Sequence, residues 1–222
     1  MRTIPMNLYH FEELEPIAQE KVIKAYRDIN VSYDWWLDVY EDFQQLASYF
    51  GFMLKENSIY FSSIHNQGAG STFQSEVNIM TMFSGIKDQT WKCYAPKEEL
   101  QLEHILGDPR LIKLIRSGLI YIRASTKPSS YGNIQAHFFS NIEGQYQHNH
   151  PRIEQALEAM EEQFVQVCNY LNKWLFRQLQ IEYEFRTKDE QVRDSIKCYE
   201  LEFLRDGSMP PAEILKLDDP QT

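Results

Sequence analysis

The spacing of apolar residues predicts helices at both ends of the chain and strands in its middle. From Pro151 to Arg186, apolar residues recur every three or four positions, which is the period of one helix face and predicts the longest element of the fold. Similar spacing predicts helices over Phe11–Asn30, from an Asp34 N-cap to just before Gly51, and over Lys188–Arg205. The stripe of the longest helix comprises Ile153, Leu157, Met160, Phe164, Val167, Leu171, Trp174, Gln178, Ile181 and Phe185.

Strand signals lie between these helices. The β-branched and aromatic residues of Ser58–Val77 flank a glycine-containing stretch, and this pattern predicts a β-hairpin. Leu119–Ser125 predicts a strand, and Ile134–Ile142 predicts the strand that returns from the following turn. The segment Asn78–Pro96 shows no clear period, so a third strand and a loop over the sheet both stay open.

This order of elements predicts an α+β fold with an antiparallel sheet of about four strands, helices packed on one face and a long C-terminal helix. Two short helical runs, Glu99–Leu106 and Pro109–Ser117, connect the strands. We expect residues 1–207 to form a single domain because no long linker interrupts them. Residues 208–222 are expected to form a loosely ordered tail.

The turn of the predicted hairpin is the candidate binding site. Glycines at 68 and 70 allow positive φ angles, and successive backbone N–H groups in such a turn can converge on an anion; a plain turn is the alternative. His137 is expected on the face of its strand opposite Phe138, either lining a pocket or paired structurally. The candidate ligand-binding residues are Ser62, His65, Gln67, Gly68, Gly70, Ser71, Tyr60, Trp36 and His137.

No catalytic residue, metal site or cofactor is predicted. The chain contains neither a Gly-x-Ser-x-Gly elbow nor a phosphate-binding loop that ends in Gly-Lys-Ser/Thr. His148 and His150 have a spacing that metal ligands use, but they precede Pro151 directly and no third ligand is identifiable nearby. The cysteines at 93, 168 and 198 are far apart and odd in number, which argues against structural disulfides and a cysteine zinc site.

Charge and hydropathy limit the expected partners. A formal net charge of −10 argues against a nucleic-acid partner held through its phosphates, which needs clustered cations. The acidic residues are scattered among basic ones, so mimicry of DNA is also disfavoured. No stretch approaches the roughly 18 apolar residues needed to span a bilayer, and we expect the protein in the cytoplasm of a host bacterium without membrane contact.

The hairpin also carries a resemblance. Ile59, Tyr60, Phe61, Ser62, Gln67, Gly68, Gly70 and Phe73 match the pattern Ile-Tyr-Phe-Ser-Gly-Phe-Trp-Ser-Gln-Gly-Asp-Gly-Ala-x-Phe. The chain thereby resembles a family of phage and prophage proteins, some of which are labelled antitoxins of toxin–antitoxin systems. Asp34-Trp35-Trp36 and Leu179–Gly207 resemble further segments of that family. Ser63, His65 and Ala69 depart from the pattern, and Ala69 replaces the aspartate between the glycines.

The resemblance implies a phage-encoded, non-enzymatic binding protein that counteracts bacterial antiviral defence. We expect it to sequester a small nucleotide-type signalling molecule in a pocket beside residues 62–73. The alternative is a protein–protein inhibitor of a host defence protein or toxin, similar to an antitoxin. A nucleotide hydrolase is the minority hypothesis, and homo-oligomerisation is a further option.

Overall fold

Helices and antiparallel sheets form the α+β fold that the sequence predicts, in a computed structural model that describes residues 6–95, 102, 104–129, 132–142 and 151–211. The helices are α1 (Pro16–Ala25), α2 (Leu37–Tyr49), α3 (Ile79–Asp88), α4 (Pro109–Arg116), α5 (Pro151–Arg186) and α6 (Asp189–Cys198). The strands are β1 (Tyr9–His10), β2 (Phe52–Phe61), β3 (Ser71–Val77), β4 (Ile120–Pro128), β5 (Ile134–Ile142) and β6 (Glu202–Phe203).

The chain divides into two compact units, Met1–Trp35 with Ile181–Thr222, and Trp36–Gln180. In the first unit, β1 and β6 pair in a two-stranded antiparallel sheet. Apolar side chains of α1, α6 and the neighbouring segments form its core, because each helix turns one apolar stripe inward. The buried residues of that core are Phe11, Leu14, Ala18, Val22, Ile23, Val192, Ile196 and Phe203.

In the second unit, the four-stranded antiparallel sheet has the order β2-β3-β4-β5. The predicted hairpin is confirmed: β2 pairs with β3, with Ile59 opposite Phe73 and Phe61 opposite Ser71. Alternate residues of each strand point to the same side, which separates an inner face with Phe73 from an outer face with Gln74. The predicted strand over Ile134–Ile142 is confirmed as β5.

Helices α2 and α5 pack on the inner face of this sheet, as predicted. The ring of Phe43 in α2 lies 5.0 Å from that of Phe73 in β3. The ring of Phe164 in α5 lies 6.4 Å from Phe52 in β2 and 6.2 Å from Phe138 in β5. Aromatic rings therefore make these contacts between the helices and the sheet.

Helix α5 has the predicted bounds but not the whole predicted stripe. Leu157, Phe164, Leu171 and Trp174 are buried as expected. Ile181 and Phe185 are instead exposed, whereas Leu175 and Leu179 are buried. A stripe that repeats every 3.5 residues drifts around a straight helix by roughly 20° per heptad, so its far end leaves the buried side.

The predicted bounds of three helices are wrong. Asp34 does not cap α2, because the helix begins only at Leu37. The chain turns at Asp34, where the N–H of Trp35 donates to the carbonyl of Tyr33 at 2.7 Å. The predicted helix over Lys188–Arg205 ends at Cys198, since Glu200 takes a positive φ of 50° before the chain pairs as β6. The predicted helix over Phe11–Asn30 is regular only in α1, with 3₁₀ turns near its ends.

The segment Asn78–Pro96 is mainly helical, not a strand or an irregular loop. Helix α3 begins after Asn78, whose side-chain oxygen accepts the N–H of Thr81 at 3.1 Å and so caps it. Of the predicted helix Glu99–Leu106, the described residues are not helical, and the others lie outside the described ranges. Helix α4 confirms the prediction for Pro109–Ser117. No helix in the described ranges is long and apolar enough to cross a membrane.

The tail expectation stays a prediction. Residues 208–211 are described and adopt neither helix nor strand. Residues 212–222 lie outside the described ranges. The single-domain expectation for residues 1–207 also stays a prediction.

Candidate functional site

The loop between β2 and β3, residues 62–70, is held by its own hydrogen bonds. The backbone N–H of Ser62 donates to the carbonyl of Gly70 at 3.0 Å, and the Ser62 hydroxyl donates to the carbonyl of Gly68 at 3.0 Å. The N–H of Ala69 donates to Asn66 at 2.9 Å. The Ser62 hydroxyl, one of the predicted ligand contacts, thus stabilises the turn itself. His65 and Gln67 are exposed at the loop tip.

The two glycines of this loop serve different purposes. Gly68 has a φ of 88°, as predicted for the turn. Gly70 does not take a positive φ, which corrects the sequence-based expectation. It is buried against Gly132 in the turn between β4 and β5, and a Cβ added at Gly70 would lie 2.8 Å from the Gly132 Cα atom. Gly70 is therefore required for close backbone approach.

Ser71 belongs to the same contact. Its hydroxyl is buried and lies 3.0 Å from both the backbone carbonyl and the side-chain oxygen of Asn172 in α5. The Asn172 amide in turn donates to the carbonyl of Gly132 at 3.1 Å. We call Gly70, Ser71, Gly132 and Asn172 the glycine–asparagine junction; it joins both hairpin turns to α5. The predicted ligand contact of Ser71 stays a prediction, with its hydroxyl engaged in this structural contact.

Aromatic residues flank the base of the loop. The ring of Trp36 lies 5.3 Å from that of Phe61, and the ring of Tyr40 lies 6.5 Å from it. Burial raises the pKa of the Tyr40 hydroxyl, which keeps that group protonated. Trp36 therefore lies beside the hairpin. Tyr60, which precedes Phe61 in β2, points to the outer face of the sheet and is 46% exposed.

His137 also lies on the outer face and is exposed, whereas the next residue, Phe138, points to the inner face and is half-buried, as predicted. It is on β5, while Tyr60 is on β2, the opposite edge of the sheet. Three strand spacings of about 4.8 Å separate these strands. The predicted residues therefore form separate groups, at the loop tip, in the junction and on the outer face, and do not converge as one set.

Metal and thiol chemistry gain no support from the described residues. His148 and His150 lie outside the described ranges. Within those ranges, no group of three or more His, Cys, Asp or Glu side chains is arranged to hold a metal ion. The cysteines are free, and burial raises the pKa of the Cys168 thiol, which keeps it protonated and unreactive.

A cavity of about 870 Å³ lies between α3, residues 105–108 and α4. Its apolar lining includes Phe83, Leu106 and Ile112. The side chains of Lys87, Arg110 and Arg116 also line it. None of the predicted site residues contributes to this cavity, which we call the α3–α4 cavity.

Helix caps and contacts with α5 position its walls. The Asp108 carboxylate accepts the backbone N–H of Arg110 at 2.7 Å and thereby caps α4. Ile105 is buried, and the side-chain amide of Gln163 in α5 donates to the carbonyl of Leu106 at 3.4 Å. A Cβ at Gly107 would lie 3.1 Å from the ring of Phe83, so the segment passes close to α3.

The cavity has a local charge opposite to that of the chain. Among the described residues of its lining, Lys87, Arg110 and Arg116 are the cations and Asp108 is the one acidic side chain. In the described ranges, none of these cations forms an ion pair with another residue. Because the chain as a whole carries a net charge of −10, this local excess favours an anionic ligand with an apolar part.

The sequence contains a signal for this cavity outside the predicted hairpin. Residues 109–118, Pro-Arg-Leu-Ile-Lys-Leu-Ile-Arg-Ser-Gly, carry three cations and no acidic residue, although the chain is acidic overall. The opposite wall carries no such signal, because Asn78–Pro96 shows no clear period.

The hairpin and the α3–α4 cavity lie in a segment that matches a known family. The family described as Domain of unknown function (DUF8835) matches residues 35–189, more than half of the chain. The chain belongs to the DUF8835 family. No curated protein and no solved structure matches it. The DUF8835 match includes α2 to α5 and the whole four-stranded sheet, so both candidate sites belong to the family's region.

Proposed function

We propose that this DUF8835 protein is a non-enzymatic binding protein for a small, anionic, nucleotide-type molecule, and that the ligand occupies the α3–α4 cavity. The observation that carries the proposal is the set of three cations, Lys87, Arg110 and Arg116, around an apolar cavity in an acidic chain. Anionic groups of the ligand would contact the cations, and its planar apolar part would pack on Phe83 and Ile112.

The dimensions of the cavity suit such a ligand. Small-molecule sites typically enclose about 300–1,000 Å³, and this cavity encloses about 870 Å³. Arg110 and Arg116 lie in the first and last turns of α4. Their six-residue separation corresponds to about 9 Å along the helix axis, at about 1.5 Å per residue. An extended anion with phosphates at two positions could therefore contact both arginines.

The resemblance to phage proteins supports the proposed biological role. Sequestering a nucleotide-type signal would remove it from a bacterial antiviral defence without chemical change of the ligand. Binding requires only the complementary charges and the apolar lining, and no reactive group. A bound nucleotide should accordingly be recovered intact after the protein is denatured, and a new product peak on chromatography would favour the hydrolase hypothesis.

A thermal-shift panel of signalling nucleotides tests the proposal. A ligand at about 100 times its dissociation constant stabilises the folded state by about 2.7 kcal/mol, which raises the melting temperature measurably. Arg110→Gln and Arg116→Gln should each weaken binding about tenfold or more, because each removes a charged contact. Lys113→Gln is the matched control: it removes the same charge from α4, and Lys113 does not line the cavity.

The outcomes separate the two candidate sites. Loss of the shift in Gln67→Ala, with Arg110→Gln and Arg116→Gln unaffected, would place the ligand at the hairpin instead of the cavity. Equal losses in Arg116→Gln and Lys113→Gln would indicate only a general charge effect. If no nucleotide on the panel produced a shift, the proposal would be wrong.

The outer face of the sheet favours the second candidate function, inhibition of a defence protein or toxin. It carries exposed apolar side chains, with Met53 57%, Tyr121 60% and Phe139 60% exposed. Tyr60 extends the same face. Exposed aromatic and methionine side chains on one face can serve as contacts for a protein partner. An empty thermal-shift panel together with recovery of one stoichiometric protein from bacterial lysate would support this function over ligand binding.

A further inference from the structure

Strand β5 is an edge of the four-stranded sheet. The sheet order is β2-β3-β4-β5, and among the described residues no strand pairs with the second side of β5. Its pairing with β4 is regular from Ile134 opposite Pro128 to Ile142 opposite Ile120, without a register shift. The strand therefore presents a long, regular row of backbone groups at the edge of the sheet.

The two edges of this sheet are protected very differently. Natural edge strands commonly use charges, proline or a bulge to prevent pairing with another strand. Strand β2, the other edge, has both a register shift between Leu54 and Ile59 and the charged residues Lys55 and Glu56. Strand β5 contains no Asp, Glu, Lys, Arg or Pro in Ile134–Ile142. It has none of these protections, although it belongs to the same sheet.

The sequence of β5 is complementary to itself when read in the opposite direction. In an antiparallel pair of two copies centred on Phe138, Ile134 of one copy lies opposite Ile142 of the other. Gln135 lies opposite Asn141 in the same way, so amide meets amide. Side chains directly opposite each other are the pairs that stabilise a sheet.

The remaining positions follow the same rule. Ala136 lies opposite Ser140, which are both small, and His137 lies opposite Phe139, which are both planar rings. The alternation of β5 places Gln135, His137, Phe139 and Asn141 on the exposed face. The residues on the inner face of β5 are only half-buried, and a second strand would cover them further.

We propose that two copies of this chain pair through their β5 strands, antiparallel and centred on Phe138, into one continuous eight-stranded sheet. The self-complementary sequence favours a second copy over a foreign strand, because only a two-fold contact uses both halves of the pattern. The absence of charged residues in β5 removes like-charge repulsion at the contact, although each chain is acidic.

Charge pairs at positions 135 and 141 test the contact and its register. Both residues are exposed, so substitutions should leave the monomer folded. The double variant Gln135→Lys/Asn141→Lys places like charges opposite each other twice, and should raise the dimer dissociation constant at least about tenfold. Gln135→Lys/Asn141→Glu places opposite charges there and should stay dimeric. The control Gln44→Lys/Gln45→Lys adds the same charge to exposed positions of α2 and should also stay dimeric.

Sedimentation equilibrium measures the association of each variant, and circular dichroism confirms that each is folded. The double-lysine variant mixed with Gln135→Glu/Asn141→Glu should recover a heterodimer. A wild-type chain that stays monomeric at concentrations up to about 100 μM would overturn the proposal, since that corresponds to less than about 5.5 kcal/mol of association free energy. So would a dimer that is unaffected by the double-lysine variant, or a different protein found on β5 in its place.

Discussion

At the residue scale, the hairpin loop shows that a glycine can be needed for space instead of for an unusual backbone angle. Gly68 has the positive φ that its turn requires, whereas Gly70 lies against Gly132 with ordinary backbone angles. Gly118 is the opposite case: its φ is 75°, and an added Cβ would have no neighbour within 4 Å. An added side chain should therefore lower the free energy of unfolding for a different reason at Gly70 than at Gly118.

Gly70→Ala should lower the free energy of unfolding by about 1–3 kcal/mol, because the added methyl group overpacks the contact with Gly132. Gly118→Ala, the control, should cost about 1 kcal/mol from its backbone angle alone. Urea denaturation of both variants measures these values. A Gly70→Ala protein as stable as the wild type would show that the junction yields easily and that Gly70 is not needed for close packing.

At the element scale, the longest uninterrupted pattern predicted its helix correctly, whereas the short helix α3 was not predicted. Helix α5 and strand β5 have the predicted bounds, because their patterns are long and uninterrupted. Helix α3 was missed, although Ile79, Met82, Phe83 and Ile86 have helical spacing. The aromatic residues that follow obscured this short run, because Trp91 and Tyr94 belong to a separate 3₁₀ turn and its end.

Asn78→Ala tests the cap that defines the start of α3. The Asn78 side chain accepts the N–H of Thr81, and losing such a cap typically costs about 1 kcal/mol. Asn78→Asp retains an accepting oxygen and should stay within about 0.5 kcal/mol of the wild type. Urea denaturation gives both values. Equal losses in the two variants would mean that the cap does not stabilise the helix.

At the scale of the whole molecule, the candidate site depends on contacts that no local pattern reveals. The α3–α4 cavity lies between α3, which follows β3, and α4, which precedes β4. Both helices contribute cations to it. The glycine–asparagine junction likewise brings together two turns and α5. The cation-rich segment 109–118 indicates one wall of the cavity, but none of the residues predicted for a site lines it, because the placement of α3 beside α4 cannot be read from either segment alone.

The response of the molecule to acid includes a contribution from its first unit. The Asp206 carboxylate accepts hydrogen bonds from Ser208 and from Lys21, which lies 3.0 Å away, and these bonds hold its pKa well below the ordinary value of 3.8. The pKa of Glu12 is also lowered, by Lys197 at 2.8 Å. A lowered pKa in the folded state stabilises the fold fully above the unfolded value, and this stabilisation is lost as the pH falls through the folded value.

We therefore expect the urea midpoint of the wild type to fall as the pH decreases below about 4, with a smaller fall in Asp206→Asn. Carboxyl NMR titration should give Asp206 a pKa below 3.8, and Lys21→Met should raise it toward that value. An Asp206 pKa at or above 3.8 in the wild type would contradict the role of these hydrogen bonds.

The glycine–asparagine junction also constrains the order in which the second unit can assemble. Ser71 and Asn172 are 101 positions apart, and Asn172 contacts Gly132 from a distance of 40 positions. Closing such long loops costs chain entropy before any contact can repay it. We therefore expect the junction to form after both hairpins and the long helix, since all three contribute to it. It would then act as a closing contact that stabilises the finished arrangement of segments without directing the first steps of folding.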